Sequence, residues 1–329
     1  MVESRMSSKV GPIALLVTAL AGAAHAQPAV SFPDKPLHFV VPFPAGGTLD
    51  VLARAVGGAL GPALGQTVVM ENRPGASGVL GADLVVHAAP DGHTLVIASN
   101  TLVTLPALRK DLPFDVFKDL APVIELGSTP TVITVHPSFP ARDLNEFIDA
   151  VKRTPGGVSY NSPGIGSPPH IAGELLARAA AIPLVHVAYR GTQPAVTDLV
   201  AGHVPVMMAP LNAVLPFINE GKLYPIALTD AARSKYLPNV PTLGEAGITN
   251  MPPVSSWFAI LTTGGTPSAV VSRLNREIAM VLRDPKLEER LASQTFAIKA
   301  GSPDELATRM RQDAAINAKV VAEAKITAE

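Results

Sequence analysis

The sequence predicts an α/β protein in which mainly parallel strands alternate with helices. Three observations support this class. Short apolar segments of strand length are repeatedly followed by turns rich in Gly, Ser and Thr, and then by segments with helical periodicity. Such units occur in both halves of the 329-residue chain, a length that suits two domains. Their alternation implies right-handed crossover units and a mainly parallel sheet.

Three strands are predicted in the first half of the chain, at residues 37–41, 67–71 and 94–98. Pro and Gly end the first strand, and Thr48 or Asp50 can cap the helix that follows. A second helix is predicted to begin at Ser77. The third strand leads into the polar loop formed by residues 99–101. Each strand therefore ends in a turn that could meet a ligand.

The second half repeats this pattern. Its predicted strands span residues 131–136, 158–161, 184–189, 204–208, 223–228 and 295–299. Its predicted helices span residues 144–152, 170–180, 192–199, 268–282, 286–291 and the segment from 303 onward. The last helix begins with a capping box, Ser302 to Glu305, and has Pro303 at its first position. Ligands bind beyond the carboxyl ends of parallel strands, so two such sheets facing each other would form one cleft.

Composition excludes several classes of protein. The chain carries 26 Lys and Arg against 27 Asp and Glu and has no basic stripe, which disfavours a nucleic-acid binder. It contains no cysteine, so disulfides, thiolate metal sites, a Cys nucleophile and an amino-terminal lipid anchor are excluded. Hydrophobic residues make up 47% of the chain, enough to build a core.

The amino terminus has the pattern of a secretory signal peptide. Arg5 and Lys9 precede an uncharged run, and small residues at Ala24 and Ala26 form a cleavage site. We therefore expect residues 1–26 to be removed and the mature protein to be periplasmic and not a lipoprotein. A membrane anchor is the alternative, but the apolar run is short for a span.

Catalytic and metal-binding motifs are mostly absent. The segment 75–78 breaks the spacing of a nucleophile elbow, and the eight histidines show no pair at ligand spacing. We therefore predict no metal, no cofactor and no enzymatic activity. Anion-binding turns are better represented, at residues 43–48, 164–167 and 190–192, where helix N-termini offer free N–H groups. Each of these turns alone is also compatible with an ordinary strand-to-helix connection.

Six segments together resemble the Bug family, the solute-binding proteins of tripartite tricarboxylate transporters. They are VPFPAGGTLD (residues 41–50), ENRPGASG (71–78), APDGHTL (89–95), YNSPGIGS (160–167), VAYRG (187–191) and PNVPT (238–242). The resemblance covers residues 32–310. It implies a type II-like periplasmic binding protein with two α/β lobes and a cleft between them. We expect residues 27–126 and 253–329 to form lobe 1 and residues 127–252 to form lobe 2.

The resemblance also implies the ligand site, a small carboxylate held between the lobes. The expected contacts in lobe 1 are Phe43, Pro44, Ala45, Gly46, Gly47, Thr48, Asp50, Ser99, Asn100 and Thr101. The expected contacts in lobe 2 are Gly164, Ile165, Gly166, Ser167, His170, Tyr189, Gly191 and Ala209. His170 is also compatible with a purely structural hydrogen bond.

Two departures from the family pattern bear on the ligand. Leu49 stands where the family often has a hydroxyl, and Pro205 and Ala209 stand where it often has aspartates. An amino-acid ligand would leave its ammonium group unpaired, which is costly when buried. A less polar carboxylate, aromatic or branched, fits these positions better.

Three functions follow as hypotheses. The first is a receptor that delivers a carboxylate to a membrane transporter of the tripartite tricarboxylate type. The second is a receptor of the same fold that reports its ligand to a sensor kinase. The third is an exported α/β hydrolase with an unrecognised Ser and His. One cleft and a balanced surface charge suit a monomer.

Overall fold

The computed structural model describes residues 1–3 and 32–327. The predicted signal peptide, residues 1–26, lies outside the described residues apart from its first three positions. From Pro33 onward the chain forms one compact unit. None of the described helices combines the length and the apolar character needed to cross a membrane.

Helices and strands alternate along the described chain. The strands are β1 (Leu37–Val41), β2 (Val68–Asn72), β3 (Thr94–Ser99), β4 (Leu120–Val135), β5 (Val158–Ser162), β6 (Leu184–Ala188), β7 (Val206–Pro210), β8 (Tyr224–Leu228), β9 (Ser255–Thr263) and β10 (Ala297–Ile298). The helices are α1 (Thr48–Leu64), α2 (Val79–Val86), α3 (Thr101–Leu108), α4 (Leu144–Arg153), α5 (Pro168–Ala179), α6 (Thr192–Val200), α7 (Leu211–Asn219), α8 (Ser268–Leu282), α9 (Pro285–Ser293) and α10 (Pro303–Ala324). The predicted α/β class is confirmed.

The strands form one curled sheet in the order β2-β1-β3-β9-β4-β7-β5-β6, with β8 and β10 paired to β4. β1 runs parallel to β2 and β3, and β5 runs parallel to β6 and β7. These parallel groups are the predicted crossover units. Their carboxyl ends carry the turns that lead into α1, α3, α5 and α6, so the candidate ligand contacts collect at these ends.

The long strand β4 joins the two parallel groups. It pairs antiparallel with β9 as far as Pro130 and with β7 from Thr131 onward. β9 in turn pairs antiparallel with β3. Only the last part of β4 was predicted, and β9 was not. Pro122 and Gly127 interrupt the sequence pattern of β4, and the structure accommodates them with register shifts near those positions.

Helices cover both faces of the sheet. On β7, Met208 packs into a core with α4 and α5, whereas its neighbours Met207 and Ala209 pack into a core with α6 and α7. Another core forms between α2, α3 and α10 around Trp257 of β9. Strands buried on both faces explain the continuous apolar runs in the sequence.

Candidate ligand-binding site

Asp50 stabilises the turn between β1 and α1 by accepting hydrogen bonds. Its Oδ2 accepts the N–H of Gly46 and the Nε–H of Arg54, each at 2.9 Å, and its Oδ1 accepts the amide of Asn72 at 2.9 Å. Burial alone would raise the pKa of Asp50, but these hydrogen bonds outweigh it and lower the pKa below its usual value. The charge of Asp50 is therefore already matched by protein groups.

The first turn of α1 keeps its backbone N–H groups free. Neither Thr48 nor Asp50 caps this helix, contrary to the sequence expectation, because the N-cap residue is Gly47, which has no side chain. In the part of the chain that the structure describes, no acceptor receives the N–H groups of Thr48, Leu49 and Asp50. Three free donors at the positive end of a helix dipole suit an anion.

Two hydroxyl groups lie where β3 ends and α3 begins. Ser99 donates from Oγ to Thr101 Oγ1 at 3.1 Å, and both side chains are buried. Asn100, between them, donates from Nδ2 to the Ser255 carbonyl at 3.0 Å. This bond ties the loop to the start of β9, the strand that the sequence did not predict.

The turn before α5 uses its N–H groups internally. Gly164 donates to Ser162 Oγ at 3.2 Å, Gly166 donates to His170 Nδ1 at 3.0 Å, and Ser167 donates to the Gly164 carbonyl at 3.2 Å. We predicted an anion-binding turn at residues 164–167. The N–H groups of Gly164, Gly166 and Ser167 already have acceptors within the protein, so few donors of this turn remain for a ligand.

His170 belongs to a buried cluster beneath this turn. Its ring stacks on His186 with centroids 3.7 Å apart, and His186 Nε2 lies 2.7 Å from Ser162 Oγ. Tyr160 donates to Glu174 Oε1 at 2.8 Å on the other side. Burial, together with neighbouring His170, lowers the pKa of His186 to about 3, so this ring is neutral at physiological pH. His170 thus supports the turn from below.

The turn before α6 is also capped by a glycine. Gly191 is the N-cap residue and offers no side chain, and its own N–H donates to the Pro163 carbonyl at 2.8 Å. Tyr189 donates its hydroxyl to the carboxylate of Asp198. Burial and the Asp198 charge raise the pKa of Tyr189 to about 12. The Tyr189 hydroxyl is therefore already used in a hydrogen bond to Asp198 of α6.

Two hydrogen bonds join the turn of α1 to the second half of the chain. Gln193 on α6 donates from Nε2 to the Gly46 carbonyl at 2.7 Å. Thr48 donates from Oγ1 to Asn212 Oδ1 on α7 at 3.3 Å. The N-termini of α1 and α6 are thereby held next to each other.

These turns surround a cavity of about 540 Å³, counting the space open to solvent. Its lining residues are Phe43, Pro44, Gly47, Thr48, Leu49, Ser99, Thr101, Pro163, Ser167, Pro168, Pro169, Thr192, Gln193, Pro210, Ser256 and Phe258. None of these residues is charged. The lining consists of prolines, two phenylalanines, a leucine, hydroxyl groups, one side-chain amide and the first turns of helices. No group of three or more His, Asp or Glu among the described residues could hold a metal ion.

The predicted site residues fall into three sets. Seven line this cavity: Phe43, Pro44, Gly47, Thr48, Ser99, Thr101 and Ser167. Three line a wider opening beside it: Gly164, Ile165 and Tyr189. Residues 74–78 and Arg190 line the same opening. The others line neither opening: Ala45, Gly46, Asp50, Asn100, Gly166, His170, Gly191 and Ala209.

Several lining residues were missed from the sequence. Thr192 belongs to the predicted anion-binding turn at residues 190–192 but was not among the expected ligand contacts, and Gln193 directly follows that turn. Ser256 and Phe258 lie on β9, and without that strand nothing indicated that they reach the cavity.

Comparisons with known proteins agree with this fold. Residues 52–325 match the model of the tripartite tricarboxylate transporter family receptor. The structure resembles the periplasmic binding protein BugD, with a TM-score of 0.84 and 30% identity over 90% of this chain and 99% of that one. It also resembles Rpa4515 of R. palustris with adipate, with a TM-score of 0.86 and 30% identity over 90% and 99% of the two chains. It further resembles MatC from Rhodopseudomonas palustris with bound malate, with a TM-score of 0.83 and 31% identity over 88% of this chain and 100% of that one.

The family match covers most of the chain, and these relatives are binding proteins rather than enzymes. The predicted two-lobed fold of a periplasmic binding protein is confirmed. The family and its periplasmic relatives indicate that this chain too is periplasmic. The chain belongs to the tripartite tricarboxylate transporter receptor family and is a solute-binding protein, not an enzyme.

Proposed function

We propose that this protein captures a small carboxylate in the cavity between the turns of α1 and α6, and delivers it to a membrane transporter of the tripartite tricarboxylate type. The observation that carries the proposal is the first turn of α1, whose three N–H groups face no acceptor among the described residues. A helix N-terminus of this kind binds an anion without a cationic side chain. The adipate and malate bound to two relatives are carboxylates, which supports the same class of ligand here.

The walls of the cavity favour an acid whose body is largely apolar. Phe43, Leu49, Phe258 and the five prolines make up half of the sixteen lining residues, and the lining has no acidic side chain to pair with an ammonium group. Burying that group without a partner would be costly. An aromatic or branched acid is therefore preferred to an amino acid such as aspartate.

Binding would couple to closure of two lobes. We keep the division predicted from the sequence, with lobe 1 at residues 27–126 and 253–329 and lobe 2 at residues 127–252. Two features support it: β4 changes its pairing partner between Pro130 and Thr131, and β9 begins at Ser255. The hinge would be formed by the two adjacent segments in which the chain passes from one lobe to the other, one within β4 and one at the start of β9.

The test of ligand binding is thermal unfolding of the mature protein against a panel of carboxylic acids and their neutral amides. The protein is first unfolded and refolded to remove any copurified ligand. An acid at 100 times its Kd stabilises the folded state by about 2.7 kcal/mol, which raises the Tm by a few degrees. A shift with an acid and none with its amide supports the proposal. If no acid shifts the Tm, carboxylate binding is wrong.

Delivery is tested by uptake of the identified acid in the cells that export this protein. Deleting its gene should abolish uptake at low concentrations of the acid, and restoring the gene should recover it. Unchanged uptake after deletion would contradict the transport role and leave the sensor kinase hypothesis as the better account.

A further inference from the structure

Asn100 lies between two residues that line the cavity but does not line it itself. Its neighbours Ser99 and Thr101 are part of the lining. Asn100 is 6% exposed and borders a separate groove, whose other walls are residues 252–255, α5 and α10. In the proposed division of the chain, α5 belongs to lobe 2, α10 belongs to lobe 1, and residues 252–255 contain a boundary between the lobes. Asn100 is therefore placed where the two lobes meet.

The side-chain amide of Asn100 reaches the segment in which the chain passes between the lobes. Its Nδ2 donates to the Ser255 carbonyl at 3.0 Å. Ser255 pairs with Pro130 of β4, and the next residue of β4, Thr131, pairs with β7 instead. Pro130 has no N–H group to offer that carbonyl. The hydrogen bond from Asn100 thus connects the loop of residues 99–101 to the point where the two crossing segments lie side by side.

The backbone of Asn100 is fixed from another direction. Its carbonyl accepts the hydroxyl of Thr104 at 3.1 Å, and Thr104 Oγ1 accepts the amide of Asn317 on α10 at 2.8 Å. A Cβ atom placed on Gly166, in the turn before α5, would lie 3.4 Å from Thr104 Cγ2. A chain of contacts therefore runs from α10 through Asn100 to β9, and it touches the proposed second lobe at Gly166.

Stability alone does not account for an asparagine at this position. Asn100 Oδ1 is buried and has no hydrogen-bond partner among the described residues. Leaving a buried acceptor unpaired costs at least as much as one ordinary hydrogen bond contributes. An apolar side chain would therefore serve the fold as well as this amide does. The reason for the amide lies in what its hydrogen bond connects.

We propose that Asn100 is a positioning residue that couples ligand binding to lobe closure by tying the loop that carries Ser99 and Thr101 to the crossing segments at Ser255. Asn100 itself does not touch the acid, which differs from the direct contact that the family resemblance implies. Movement of the lobes about the crossing segments shifts the loop, and because coupling is reciprocal, an acid held against the loop favours the closed arrangement. This inference rests on the proposed function, since it assigns the residue that links the bound acid to the hinge.

The test compares rate constants and radii of gyration, using the acid that gives the largest shift of the Tm for the wild-type protein. Asn100→Leu removes the amide and keeps the approximate size of the side chain. Stopped-flow measurements should show dissociation about twofold to tenfold faster, the effect of one ordinary hydrogen bond, with association within about twofold of the wild type. In small-angle X-ray scattering at saturating acid, the variant should contract less than the wild type. Asn100→Gln keeps an amide donor and should recover part of the slow dissociation.

Asn275→Leu is the matched control. Asn275 donates its amide to the carbonyls of Val123 and Gly301 and lines neither the cavity nor the groove. Its replacement should lower the ligand-free Tm without changing the dissociation rate, which separates a general loss of stability from a loss of coupling. Asn100→Ala takes the place of Asn100→Leu if leucine prevents folding.

Several outcomes would overturn the inference. If Asn100→Leu releases the acid at the wild-type rate and contracts as much, Asn100 does not couple the two events. If only association slows, the residue shapes the free site and not the closed one. If Asn100→Gln and Asn100→Leu dissociate equally fast, the amide is not the coupling group. If the wild type binds an acid without contracting, the coupling is wrong and capture of the acid stands. If the wild type binds no acid, the proposed function fails as well.

Discussion

His170 shows at the scale of one residue how the site is supported from outside the cavity. Its Nδ1 accepts the N–H of Gly166, and its ring is buried against His186. His170→Phe keeps an aromatic ring but leaves that N–H without an acceptor. The free energy of unfolding should fall by ~1–3 kcal/mol, the cost of an unsatisfied buried donor. Denaturant unfolding measures this, with the exposed His87→Phe as the control. Equal stability of the two variants would show that the bond to Gly166 contributes little.

Asp230 predicts a dependence of stability on pH. Burial raises its pKa to about 7, although it accepts the N–H of Thr131 at 2.9 Å, which acts in the other direction. The folded pKa lies above the unfolded one, so the stability linked to this proton is fully present below about pH 4 and is lost as the pH rises through about 7. Asp230→Asn should therefore be more stable than the wild type at pH 8, by up to ~4 kcal/mol, and lose that advantage near pH 4. Chemical denaturation at several pH values checks this, and a constant difference across the range would contradict it.

At the scale of elements, α6 acts on the turn of α1 through Gln193. Gln193→Ala removes the hydrogen bond to the Gly46 carbonyl and leaves Thr192 in place. The bond joins the two sides of the cavity, so its loss should weaken ligand binding by about twofold to tenfold, mainly through faster dissociation. Stopped-flow measurements resolve the two rates, with the exposed Gln312→Ala on α10 as the control. A change confined to the association rate would not fit.

Elements also show which parts of the protein the sequence could predict. The units around β1, β3, β5 and β6 were visible, because each apolar strand ends in glycine or hydroxyl residues. Most of β4 was not predicted, because its prolines and glycine are residues typical of turns. Pairing with β9 accommodates them in a strand with register shifts. At the site, the turn of α1 was predicted by resemblance. The turn at residues 190–192 was also predicted, but the free hydroxyl of Thr192 was not, because whether such a hydroxyl caps a helix or remains free depends on tertiary contacts.

For the whole molecule, the two crossings at β4 and β9 predict a change of shape on binding. If the lobes close about these strands, the acid identified in the screen should reduce the radius of gyration measured by small-angle X-ray scattering. Gln193→Ala should need more acid to reach the same compact state, because it lacks one bond across the cavity. Identical scattering with and without saturating acid would argue against a hinge.

The position of β9 in the chain also governs how the protein can fold. Leu95 of β3 pairs with Thr262 of β9, so the sheet of the first half is completed only by a strand from near the end of the sequence. Forming such a contact requires closing a very long loop, which slows folding. A chain emerging from the ribosome therefore cannot finish its first sheet before synthesis is nearly complete.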